Sequence, residues 1–109
     1  MFNGLWTVDF ISTINRYGKG VLVLSDGRLL GGDHGFYYSG TYIVKGNNIQ
    51  ATISVIQYDE NIVSVFGNIT HFQLTIDGEI NEYQFSAVGT IANNPQVKIK
   101  VVGTKREDL

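Results

Sequence analysis

The stretch Gly31-Gly32-Asp33-His34-Gly35-Phe36-Tyr37-Tyr38-Ser39-Gly40-Thr41-Tyr42 divides a run of hairpin patterns from a long apolar strand, and its reading decides the fold. It holds four glycines and follows no helical period, so it does not suit one regular element. Glycine tolerates positive φ and close backbone approach, which predicts a strand that ends, turns a corner and restarts. Gly31, Gly32 and Gly40 are then the places where the chain bends or another backbone comes near.

Upstream, Gly4 to Ser12 alternates, with Trp6, Val8 and Phe10 on one side and Thr7, Asp9 and Ile11 on the other, the period of a half-buried strand. Gly18 to Ser25 repeats the pattern with Leu22 and Leu24 opposite Val21 and Val23. Asp26-Gly27 reads as a tight hairpin turn, because both residues tolerate positive φ. Arg28 to Gly32 is a short strand leading into the glycine block. Downstream, Tyr42 and Val44 share a face, Lys45-Gly46-Asn47-Asn48 forms a loop, and Ile49 to Tyr58 is the longest β-branched run. Over Asp59 to Gly67 the alternation fails; Ile62, Val65 and Phe66 stand at i, i+3 and i+4, predicting one helical turn that caps a barrel end or forms a subunit contact.

Strand pattern returns with Phe72, Leu74 and Ile76 on one face, and Asp77-Gly78 reads as a second tight turn. Tyr83, Phe85, Ala87 and Gly89 oppose Glu82, Gln84, Ser86 and Val88. After the connection Ala92 to Pro95, a last strand carries Val97, Ile99 and Val101, and Thr104 to Leu109 is expected to fray. These alternating segments, joined by short turns, predict an all-β fold, a small eight-stranded antiparallel up-and-down barrel formed by a single domain over residues 1–109. Trp6, Phe10, Tyr42, Phe72 and Phe85 are the expected interior aromatics. Their bulk predicts a full or narrow interior.

The 109 residues carry no Cys, which excludes a disulfide framework, a thiolate metal site and a cysteine nucleophile. Net charge is −2 with the basic residues dispersed, so no phosphate-neutralising face for nucleic acid is expected. The start Met1 to Trp6 lacks a basic leader pattern, and no apolar run approaches the roughly 20 residues that span a bilayer, so a cytoplasmic protein without membrane contact is expected. Gly31-Gly32-Asp33 with Phe36 resembles the Gly-Gly-Asp/Glu-Glu-Phe turn of diguanylate cyclases, yet His34 occupies the second acidic position and a glycine bend is the better reading. Gly18-Lys19-Gly20 lacks P-loop spacing. His34 and His71 do not form a histidine-rich metal site, Asp59-Glu60 reads as solvated loop acids, and no nucleophile motif is present. The expectation is therefore a non-enzyme with no metal and no cofactor.

Gly4-Leu5-Trp6 is similar to the Gly-x-Trp that opens the lipocalin pattern, where a late basic residue packs on the Trp; Arg106 is the candidate for that role. The combination Gly18-Lys19-Gly20-Val21-Leu22-Val23, Asp26 to Asp33, and Tyr38-Ser39-Gly40-Thr41-Tyr42 resembles the GrlR family, small negative regulators of bacterial type III secretion. Gly4 to Phe10, Gln57-Tyr58 and Ser64-Val65-Phe66 extend the likeness over Gly4 to Val102. The resemblance implies a lipocalin-like eight-stranded barrel, a homodimer, and repression by sequestering a transcriptional activator without touching DNA. It also implies that the loop after the strand following the Gly-Gly-Asp block engages the activator through acidic residues. The matching loop here, Lys45, Gly46, Asn47 and Asn48, has no carboxylate, and an uncharged or basic loop does not steer toward a basic partner. Three alternatives stand: another regulator as partner, a different contact surface such as Ile62, Val65 and Phe66, or a small hydrophobic ligand inside the barrel.

Overall fold

When every strand has one apolar face, curling the sheet buries that face and removes the unpaired edges together. The computed structural model describes residues 2–62, 64, 69–92 and 94–109. Its strands are β1 (Gly4–Ser12), β2 (Tyr17–Ser25), β3 (Arg28–Gly32), β4 (Phe36–Lys45), β5 (Asn48–Gln57), β6 (His71–Ile80), β7 (Gln84–Ile91) and β8 (Asn94–Asp108). Each pairs antiparallel with the next, and β8 returns to β1, so the sheet closes as an eight-stranded barrel. No helix occurs among the described residues.

Inward positions follow the alternation. Trp6 and Val8, Leu22 and Leu24, Ile49 to Val55 at every second residue, and Phe72, Leu74 and Ile76 are all buried. Burying each such side chain fully is worth roughly 1.5–3 kcal/mol. One end, the base, carries the turns at Asp26-Gly27, Gly46-Asn47 and Asn81 to Tyr83 together with the C-terminus. The other end, the mouth, carries the connections after β1, β3, β5 and β7. The glycine block spans this scheme as expected: β3 stops at Gly32, Asp33 to Gly35 turn, and β4 starts at Phe36. Gly40 lies well inside β4, where it faces Leu29 and Ile53 across the sheet.

Several local expectations are corrected. Asp77-Gly78 is not a turn. Both residues lie inside β6, paired with Val88 and Ala87, and the chain reverses at Asn81, whose side-chain oxygen accepts from the Tyr83 and Gln84 amides. Gly78 is there for closeness, since a Cβ would come within 2.2 Å of the Ser86 carbonyl oxygen. That reversal also puts Tyr83 in solvent, 69% exposed, instead of on the inner face. Nor does the tail fray: Thr104 to Asp108 continue β8 and pair with β1 from Thr7 back to Gly4, sealing the barrel. Their backbone donors and acceptors are consumed by closure, a gain that side-chain charge does not reveal.

Over Asp59 to Ile62 the chain makes one turn, the Ile62 amide donating to the Asp59 carbonyl at 3.1 Å, with no helix over those residues. Val65 and Phe66 lie outside the described residues.

Candidate functional site

The base is packed solid. Trp6 is fully buried, its Nε1 donates to the Phe2 carbonyl at 3.0 Å, and its ring meets Phe85 at 5.4 Å between centroids. Phe85 in turn lies over Gly103, where a Cβ would stand 2.1 Å from the ring. The basic residue on Trp6 is Lys105, with Nζ 6.0 Å from the ring centroid, and Arg106 is not. A register shift at Leu5/Trp6 pairs Leu5 with Glu107 and Trp6 with Lys105, so Arg106 is the extra residue of a bulge and points outward, its Nε donating to Thr7 Oγ1 at 2.9 Å. Lys105 snorkels along Trp6 to Asp108 at 2.7 Å, and its hydrogen bond and charge hold that exposed carboxyl below its ordinary range.

The upper half of the barrel is different. A cavity of about 210 Å³ runs in from the mouth between Val8, Phe10, Leu22, Val55, Phe72 and Val101. The interior is thus full at the base and open toward the mouth. Of the expected interior aromatics, Trp6, Tyr42, Phe72 and Phe85 are buried and Phe10 packs against the core. Phe10 and Phe72 line the cavity.

At the rim stands the turn of the glycine block. Asp33 Oδ1 accepts from the Gly35 and Phe36 amides, each at 2.9 Å, and Oδ2 accepts from the Tyr38 hydroxyl. The Asp33 carbonyl accepts from the Tyr58 hydroxyl, while the Tyr58 amide donates to Gly35 at 2.9 Å, tying the β3–β4 turn to the end of β5. Burial foremost, and then the bond to Asp33, push the Tyr38 phenol far above its ordinary range, so it remains a donor. The carboxylate is occupied by the turn itself, which supports the bend reading over a nucleotide one. Asp33→Ala is expected to cost about 2 kcal/mol, because two backbone donors and a phenol lose their acceptor. Asp33→Asn, which keeps an oxygen for the amides, should cost less than half as much in urea denaturation; equal losses would show that the turn does not depend on these bonds.

Outside the barrel a second feature appears. Two neighbouring outward rows cross β1 to β5: Thr7, Val21, Gly32, Tyr37 and Ile56, and beside them Leu5, Val23, Leu30, Ser39 and Ser54. Neither row contains a charged residue, and Val21, Leu30 and Tyr37 are 45%, 46% and 44% exposed. Strand parity places these residues outside, but only the cross-strand register, absent from the sequence, brings them together.

Lys45, Gly46, Asn47 and Asn48 form an exposed turn at the base, with Gly46 at φ +61°. Its missing carboxylates have neighbours on β6: Asn48 pairs with Glu79 and donates to Asp77 Oδ1 at 3.0 Å, and both acids are exposed. Ile62 is half-buried, packs against the core and lies over Gly35 at the mouth. His34 and His71 are exposed, and among the described residues no cluster of three or more His, Asp or Glu is placed to hold a metal. No helix among them is long and apolar enough to cross a membrane. These features define the class: a closed antiparallel barrel, lipocalin-like in shape, with a mainly apolar cavity and two outward rows over β1 to β5 that hold no charged residue. Compared with known proteins, the chain matches no family model and no curated protein.

Proposed function

We propose that this chain is a non-enzymatic, cytoplasmic regulatory barrel that works by binding proteins: a second copy of itself, and a transcriptional activator that it sequesters in the manner of GrlR-type regulators of type III secretion. The observation that carries this reading is the pair of outward rows around Val21, Leu30 and Tyr37, which hold no charged residue from β1 to β5 and are met by Arg106 only at their Thr7 edge. A strand surface facing only water normally interleaves charges, as Lys98 and Lys100 do on β8 and Asp77 and Glu79 on β6. The sequence resemblance to GrlR proteins supports the choice of partner. Asp77 and Glu79, beside the Lys45 to Asn48 turn, supply carboxylates where that resemblance implies an acidic loop, and they favour a basic partner.

Leu30→Asp combined with Tyr37→Asp tests the reading, since both side chains point outward and the fold can be verified by circular dichroism. Self-association measured by sedimentation should weaken at least tenfold. A helix-turn-helix activator co-purified from the native bacterium with the unaltered chain should no longer be retained. Unchanged sedimentation together with unchanged retention of that activator would overturn the proposal.

A further inference from the structure

The cavity carries an inference of its own, independent of any protein partner. Its volume, about 210 Å³, sets the scale of what fits. A dry apolar cavity of roughly 150 Å³ accommodates a benzene molecule. The space here therefore suits one ring with one or two further heavy atoms, and it is too small for a long acyl tail. Its walls are mainly aliphatic and aromatic side chains from β1, β2, β4, β5, β6 and β8, with the buried Ser64 among them, so the body of an occupant must be largely apolar.

Charge narrows the choice further. Asp33 at the rim is the carboxylate among the described lining residues. Lys19 and His34 also reach the rim, but both side chains are exposed, and Lys19 Nζ is held by Asp9 at 2.8 Å on the outer surface. An anionic ligand would enter facing the Asp33 charge, with no buried cation among the described lining residues to offset its desolvation. Tyr38 spends its proton on Asp33, which leaves acceptor capacity on the phenol oxygen and on Asp33 Oδ2, and both residues line the cavity.

We propose that the mouth half of the barrel is a binding site for an uncharged small molecule of single-ring size that carries one hydrogen-bond donor. Its apolar body lies among Val8, Leu22, Phe72 and Val101, and its donor meets the Tyr38 and Asp33 oxygens.

Three para-substituted probes, p-cresol, toluene and p-toluate, separate the parts of this proposal when titrated into the full chain with methyl-labelled valine and leucine and followed by NMR at neutral pH. Expected are saturable shifts of the Val8, Leu22 and Val101 methyls with p-cresol, affinity for toluene at least threefold lower, and affinity for p-toluate at least tenfold lower. In Asp33→Asn, confirmed as folded by the same spectra, the discrimination between p-cresol and p-toluate should shrink several-fold. Interior methyls that move with none of the probes would overturn the site. Equal affinities for toluene and p-cresol would overturn the rim contact. A p-toluate affinity matching that of p-cresol would overturn the charge argument.

Discussion

Gly40→Ala is expected to remove about 3 kcal/mol of stability, the upper range for forcing extra atoms into a packed site. A Cβ at this position would stand 2.1 Å from the Thr52 carbonyl oxygen and 2.8 Å from the Ile53 Cα, both backbone atoms of β5. A side chain in the way can rotate, whereas a neighbouring strand yields only by separating, and β4 is hydrogen-bonded to β5 from Phe36 to Lys45. Gly31 has the same relation to β2, with the Val21 carbonyl oxygen 2.2 Å from the Cβ position. These two glycines let β2, β3, β4 and β5 coil tightly enough for the sheet to close. The control is Gly46→Ala, where φ is +61° but no atom lies within 4 Å; there only the left-handed backbone is penalised, by about 1 kcal/mol. Urea denaturation of both variants checks the ranking. A Gly40→Ala loss no larger than that of Gly46→Ala would mean that closure does not depend on the close approach.

How much of this was legible beforehand depended on whether a feature is local. Alternation at Trp6 to Phe10, Leu22 and Leu24, Ile49 to Val55 and Phe72 to Ile76 is a property of neighbouring residues, and it assigned the inner face correctly. The turn at Asp26-Gly27 was legible for the same reason, with both residues at positive φ. Asp77-Gly78 has identical residue types and is a strand interior, because the glycine there answers the nearness of Ser86 in β7, information that lies outside the dipeptide. The tail misled in the same way. Lys105, Arg106, Glu107 and Asp108 read as a charged end, but β1 needs a second neighbour and they are the residues that provide it. The interior was expected to be full or narrow, with a small ligand inside the barrel only as an alternative, because inward residues were weighed by size without knowing their height along the axis. Trp6, Tyr42 and Phe85 crowd the base, while the mouth level holds Val8, Val55 and Val101 opposite Phe10 and Phe72. The uncharged outer face was equally hidden, since Val21, Leu30 and Tyr37 belong to three strands.

Trp6→Ala should cost about 3–5 kcal/mol, the usual range for truncating a large buried aromatic. Trp6 has no exposed surface, and its neighbours offer little freedom to collapse into the void: Phe85 is seated over Gly103, and Phe2 is fixed by the indole hydrogen bond that the substitution removes. The base is the part of the barrel without spare volume, so the loss falls on the global fold. Trp6→Phe retains a ring against Phe85 and sacrifices the hydrogen bond to the Phe2 carbonyl; about 1–2 kcal/mol is expected from thermal or urea unfolding. A Trp6→Ala loss below 1 kcal/mol would show that the base repacks and that Trp6 does not anchor it. Lys105 belongs to the same packing, because its ammonium sits 6.0 Å from the ring centroid and bonds Asp108 at the base. Lys105→Met keeps the stem and removes the charge, so it should forfeit the cation–π share, about 0.5–1 kcal/mol, together with the small contribution of the solvent-exposed Asp108 partner. In Trp6→Ala that share is already gone, and adding Lys105→Met should then change stability by much less. Equal effects of Lys105→Met in the two backgrounds would mean that the ammonium serves Asp108 and not the ring.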